Sequence, residues 1–222
     1  MRTKSVVLFL GFAIIYLLST LFQSEIVEIW LKPFLIPALA IAVFKINNLT
    51  VKKWLLLALL FSWLGDVFFL FVAQDSSFFL LGLLSFLIAH LFYIILFFKL
   101  QENAHRYFNR FTSLVLLYLF GFLYFLWDFL DELKISIMIY AIVVSLMLFV
   151  SIQINLSRQN KASRLIVLGA FFFVLSNSLL AVNKFYSPIY LYSLLVMSTY
   201  LSAQFLLVYG IVLLDKTQKK DT

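Results

Sequence analysis

Eight apolar runs, near residues 5–22, 30–46, 54–73, 78–99, 112–130, 134–155, 163–183 and 188–213, leave little of this chain for anything else. A membrane-crossing helix takes about 20 apolar residues, whereas a transmembrane barrel strand takes about ten residues of alternating pattern. Continuous apolarity at the longer length predicts an all-α polytopic bundle of eight transmembrane helices. Charged residues make up only 12% of the 222, about half the share of a soluble domain. The bundle is therefore expected to form one domain over residues 1–214, with a short, polar and disordered tail over 215–222 and no extramembrane domain.

The charges report orientation. Of the 17 Lys and Arg residues, all but Lys32, Lys134 and Lys184 fall in loops on one side, which the positive-inside rule makes cytoplasmic. Both termini are then cytoplasmic, as an even number of spans requires. The net charge of +7 is read as topology, and no nucleic-acid partner is expected, since no base-reading motif accompanies it. The acids Glu25, Glu28, Asp75, Asp128, Asp131 and Glu132 fall on the other side and are read as solvated loop residues. Arg2 and Lys4 ahead of an apolar stretch resemble a signal peptide, but the run exceeds the usual 7–15 residues and no A-x-A site follows, so a retained first span is expected.

With no cysteine there is no disulfide, thiolate metal site or Cys nucleophile. Two histidines, His90 and His105, argue against a histidine-rich zinc site. Polar chemistry inside the spans is confined to a few positions, and such residues are functional candidates because their insertion is costly. Asp66, within Ser62-Trp63-Leu64-Gly65-Asp66, has no adjacent base and is a candidate proton donor. His90 follows Gly82, Ser85 and Ala89, small residues that let a neighbouring helix approach. A very short loop joins the third and fourth spans, which makes them adjacent and antiparallel, so Asp66 and His90 are expected to share a cavity. His105, beside Arg106 in a basic loop, is read as surface. The seventh span carries Ser176-Asn177-Ser178, and the eighth carries Tyr200 and Gln204 one turn apart, while Ser198, Thr199 and Ser202 are read as helix–helix glue. No G-x-S-x-G elbow accompanies these serines, so a serine nucleophile is not expected.

A weak internal parallel sets Asp66 of the third span against Asn177 of the seventh, and Ala89-His90-Leu91 against Ala203-Gln204-Phe205. It points to a four-plus-four parallel pseudo-repeat, with a polar site between the third, fourth, seventh and eighth helices. Lys32-Pro33 is expected to open the second span, since proline suits a first helical turn. Lys32 would then stand over the site mouth, where it can attract a phosphate or simply snorkel.

Lys32-Pro33, Leu64-Gly65-Asp66, Phe86 to His90 with Tyr93, Ser176-Asn177 and Tyr200 to Gln204, in this order across eight spans, resemble the YhhN-like family of lysoplasmalogenases. The resemblance covers nearly the whole chain. It implies hydrolysis of the vinyl-ether bond of a lysophospholipid to a fatty aldehyde and a glycerophospho-alcohol, in a multi-pass protein of the cell membrane. Family members carry Asp or Asn at the position of Asn177, which leaves Asp66 the better candidate for an acid. Vinyl-ether hydrolysis needs a positioned acid, a group that activates water and dipoles near the developing cation; neither metal nor cofactor is required. Asp66 and His90 fit the acid and base in either order, and Lys32, Tyr93, Asn177, Tyr200 and Gln204 are the expected substrate-binding residues. The competing class is a lipid or solute transporter in which Asp66 and His90 relay protons. A ceramidase-like zinc hydrolase would need several membrane histidines. Membrane lipids are the other expected partners, and the oligomeric state is left open.

Overall fold

The computed structural model describes residues 3–22, 25–101 and 110–221. The expectations for Arg2, His105 and Arg106, and for the side chains of Lys4, Glu25, Glu28, Arg110 and Lys220, lie outside what is described. Among the described residues the chain forms eight α-helices and no strand: α1 (Thr3–Leu21), α2 (Glu25–Phe44), α3 (Lys52–Leu70), α4 (Ser77–Leu100), α5 (Arg110–Leu126), α6 (Lys134–Arg158), α7 (Lys161–Ala181) and α8 (Tyr192–Asp221). Five apolar stretches, Lys52–Leu70, Ser77–Leu100, Asp131–Arg158, Lys161–Tyr186 and Tyr192–Lys219, are long enough to cross a membrane. The other three, Val6–Leu21, Ile29–Phe44 and Ser113–Phe129, are shorter. The expected eight spans thus become five that length and apolarity support and three shorter apolar helices.

The outward faces are those of a protein in lipid. On α5, Leu117, Phe120 and Tyr124 share one face and are 69%, 67% and 87% exposed, an apolar surface that water would not tolerate on a monomer. The chain is a membrane-type, all-helical protein.

By contacts the helices fall into two compact units, residues 1–96 with 215–222, and residues 97–214. In the first unit α3 and α4 run antiparallel through paired rings, Phe61 with Phe92, Phe69 with Phe86, and Phe68 with Phe78. Asp75 lies in the turn between them, where its Oδ1 accepts the Ser77 N–H at 2.8 Å. Together with the Ser77 hydroxyl, that bond holds the carboxyl below its usual range, so this acid, exposed in the loop as expected, also forms an Asx turn leading into α4. In the second unit α6 ends on Gln159 in the left-handed conformation (φ 49°). Asn160 then opens α7 with a reciprocal capping box to Ser163, so the reversal takes very few residues.

Two expectations about local structure are corrected. Residues 215–221 are no disordered tail but the last turns of α8, because Asp215, 2% exposed, accepts the Thr50 N–H at 3.1 Å and pairs with Lys219 at 3.4 Å. The Lys219 ammonium also donates to the Asn48 carbonyl. Lys32-Pro33, for its part, does not open α2, which begins at Glu25 and holds Pro33 and Pro37 in its interior.

A helix tolerates this where the freed backbone groups find other partners. The Pro33 carbonyl would normally accept the N–H of residue 37, which proline lacks. Trp63 of α3 supplies the missing donor, its indole Nε1–H reaching the Pro33 carbonyl at 2.9 Å. Trp63→Phe should therefore leave a buried acceptor unpaired and cost about 1–3 kcal/mol. In a Pro37→Ala background, where an N–H returns, the same change should cost less than half as much, and thermal unfolding of the four proteins in detergent measures the difference.

Candidate active site

Asp66 is 3% and His90 0% exposed, both in the first unit and on the two helices that the Phe ring pairs lock together. Glycine sets how closely those helices approach. A Cβ at Gly65 would lie 2.6 Å from the Phe86 ring, and one at Gly82 would lie 2.3 Å from the Phe69 ring. Gly65 precedes Asp66, and Phe86 is one turn before His90, so this contact sits beside both candidates. It also fixes the register: Gly65 faces Phe86 and Phe69 faces Gly82, which puts His90 about 8 Å from Asp66 along the helix axes at 1.5 Å per residue.

The ordinary lean of helical side chains acts along that separation. Helical side chains lean toward their own N-terminus, and in an antiparallel pair the lean is toward each other. That lean takes His90 back toward Phe86, and for Asp66 its sense is toward Ser62. His90 shows this directly, since its Nδ1 bonds the Phe86 carbonyl at 2.5 Å. A carbonyl oxygen can only accept, so Nδ1 carries the hydrogen, and in the neutral ring Nε2 holds the lone pair. The tautomer is thereby set, with Nε2 as the basic atom.

Tyr93, 0% exposed, lies one turn further along the same helix. Ser62, also 0% exposed, is level with His90, on the Asp66 face one turn away, and donates its hydroxyl to the Ala58 carbonyl at 2.9 Å. Sequence reasoning passed over Ser62 as part of the Asp66 motif, although its i, i+4 spacing to Asp66 was the available signal. Lys32 is half-buried. The Trp63–Pro33 bond ties the turn of α2 that carries Lys32 to the segment of α3 just before Asp66.

The second unit holds the other candidates. Successive residues on a helix point about 100° apart, and Ser176-Asn177-Ser178 uses this to reach three different helices. Ser176 donates to the Val196 carbonyl of α8 at 3.0 Å, Asn177 Oδ1 accepts the Tyr140 hydroxyl of α6 at 2.7 Å, and Ser178 meets Tyr118 of α5 at 2.6 Å. Because Ser178 spends its hydrogen on the Val174 carbonyl, Tyr118 is the donor to it. Asn177 also donates to the Phe173 carbonyl at 2.8 Å, the Phe173 ring meets Tyr200 edge-on at 5.6 Å, and Gln204 Nε2 reaches the Tyr200 hydroxyl at 3.5 Å.

Asn177 and Tyr200 thus meet at Phe173, one through its carbonyl and the other through its ring, and Gln204 joins them only through Tyr200. Tyr118 and Tyr140 carry no local sequence signal, as their partners lie on another helix. In all, Lys32, Asp66, His90 and Tyr93 belong to one unit and Asn177, Tyr200 and Gln204 to the other.

With this geometry in hand, the comparison with known families is decisive. The model of the YhhN family matches residues 27–211, well over half of the chain. The chain belongs to the YhhN family. No curated protein and no solved structure matches it. The family match takes in the whole of α3, α4, α6 and α7 and most of α2 and α8, and so every candidate named above.

Gly65→Ala should force the Phe86 ring aside and cost about 1–3 kcal/mol. Most of the loss should return in the Phe86→Leu background, as read by thermal unfolding. Tyr140→Phe should cost about 1 kcal/mol by removing the donor to Asn177, with the same loss in Asn177→Ala and no further loss in the double variant.

Proposed function

We propose that this protein hydrolyses the vinyl-ether bond of a lysoplasmalogen, or of a related lyso-ether lipid, as a multi-pass enzyme of the cell membrane with both termini cytoplasmic. One observation carries the assignment of roles: the Nδ1–H of His90 is committed to the Phe86 carbonyl, which leaves Nε2 to take a proton and gives the acid's part to Asp66. Family membership and the burial of both groups in adjacent antiparallel helices support the same reading.

In the reaction, the Asp66 carboxyl transfers its proton to the β-carbon of the vinyl ether, and the C=C pair forms the new C–H bond. The resulting oxocarbenium ion is captured at the carbon bonded to oxygen by a water whose proton passes to His90 Nε2. The hemiacetal then collapses. Its hydroxyl proton returns to the Asp66 carboxylate, the C–O bond to the glycerol oxygen breaks, and that oxygen takes the proton held on His90. Water, lipid, aldehyde and alcohol balance, and both side chains end as they began. Negative charge left on Asp66 after the first transfer stabilises the cation beside it.

Lys32, in the same unit as Asp66 and His90, is proposed to meet the phosphate of the headgroup, with Tyr93 of that unit contributing to binding.

Purified protein incubated with a lysoplasmalogen and with its acyl lysophospholipid counterpart should release aldehyde from the first and nothing from the second. Asp66→Asn and His90→Gln should each lower turnover by about 10²–10⁴-fold while the proteins remain folded by circular dichroism. Near-normal turnover in Asp66→Asn would remove it from the acid's role. Absence of product from wild type, together with proton-coupled flux, would replace the hydrolase reading with transport.

A further inference from the structure

Along α3, with α2 walling its deeper part, runs a groove whose lining includes neither Asp66 nor His90. It consists of two depressions of about 600 and 350 Å³ that share Leu56 and Leu60 as walls. The first ends at Lys52 and Lys53, and the second continues to Pro37 and Trp63. One end is cationic and the rest is apolar. The Lys52 ammonium sits over the Phe44 ring at 4.9 Å and donates to the Ile46 carbonyl at 3.1 Å. Lys53 lies over Trp54 at 5.9 Å. A lysine pair among aromatic rings at a helix end is the pattern of a membrane–water interface. Among the described residues neither ammonium lies against a carboxylate, since the nearby Asp215 is taken by Thr50 and Lys219. From Lys53 to Trp63 the helix rises about 15 Å, half of the roughly 30 Å hydrocarbon core and so the depth of one leaflet.

We propose that this groove binds one anionic phospholipid of the leaflet on the side of the α2–α3 loop, its phosphate between Lys52 and Lys53 and one acyl chain laid along Leu56 and Leu60 as far as Trp63. Charge selects the headgroup, and the match of groove length to leaflet depth selects a membrane-resident lipid over a free phosphate. Thr50, at the polar lip, is held in place by Asp215, so the cationic end is preformed.

The full-length protein, stripped of lipid in detergent, can be titrated with phosphatidylglycerol and with phosphatidylcholine of the same chains and read by native mass spectrometry. The expected result is a single phosphatidylglycerol bound about tenfold or more tighter than phosphatidylcholine. Lys53→Gln should weaken it about fivefold, the loss of one lysine at a membrane surface, and Leu60→Trp should fill the groove and abolish it. Lys53 bears the decisive test because its side chain is exposed, whereas Lys52 also holds the loop. Equal binding of the two lipids, an unchanged affinity in Lys53→Gln, or displacement of the lipid by millimolar inorganic phosphate would overturn the proposal.

Discussion

Hydrocarbon offers no hydrogen bonds, so every backbone N–H and C=O within the spans must be satisfied by the protein itself. That constraint explains the pairing of Pro33 and Pro37 with Trp63. Two prolines one turn apart would break a helix in water, yet α2 continues through both, and at the second an indole from α3 replaces the donor that Pro37 lacks. The same rule governs the hydroxyls. Ser19, Thr20, Ser62, Ser85 and Ser151 each return their hydrogen to a carbonyl three or four residues earlier, and so cost the membrane little.

Against that self-satisfied background, the groups that reach between helices are few and have separable consequences. Ser176-Asn177-Ser178 tethers α7 to α8, α6 and α5 in turn, an economical use of helical geometry that makes the triplet a fastening of the second unit. Asn177 is accordingly part of the scaffold of that unit. In the first unit the antiparallel pairing of α3 and α4 carries Asp66 and His90 on neighbouring helices, and the glycines at positions 65 and 82 let those helices approach closely. The bond from His90 to its own helix selects the tautomer, much as second partners orient the reactive nitrogen of imidazoles elsewhere.

Trp63 links these themes. It completes the backbone of α2, stands beside Ser62 on the helix that carries Asp66, and closes the deep end of the groove that begins at Lys52 and Lys53. A residue with three such duties shows why aromatic side chains with one polar atom suit helix interfaces in lipid: the ring fills volume while the N–H answers a specific acceptor.

The sequence by itself determined the helical class, the approximate place of all eight helices, the antiparallel adjacency of α3 and α4, and the prominence of Asp66 and His90. Each of these follows from run length, loop length or the cost of a polar group in lipid, which are local or compositional quantities. It misjudged Lys32-Pro33 as a helix start and residues 215–221 as disordered, since in both cases the deciding partner, Trp63 for one and Thr50 for the other, lies far away in the chain. It could not indicate Ser62 as level with His90, or Tyr140 and Tyr118 as the partners of Asn177 and Ser178, because leucine- and phenylalanine-rich helices carry no pattern that specifies which face meets which neighbour. Register and facing are settled by how glycines, rings and stray hydrogen-bond donors fit together, and that fit exists only once the helices have packed.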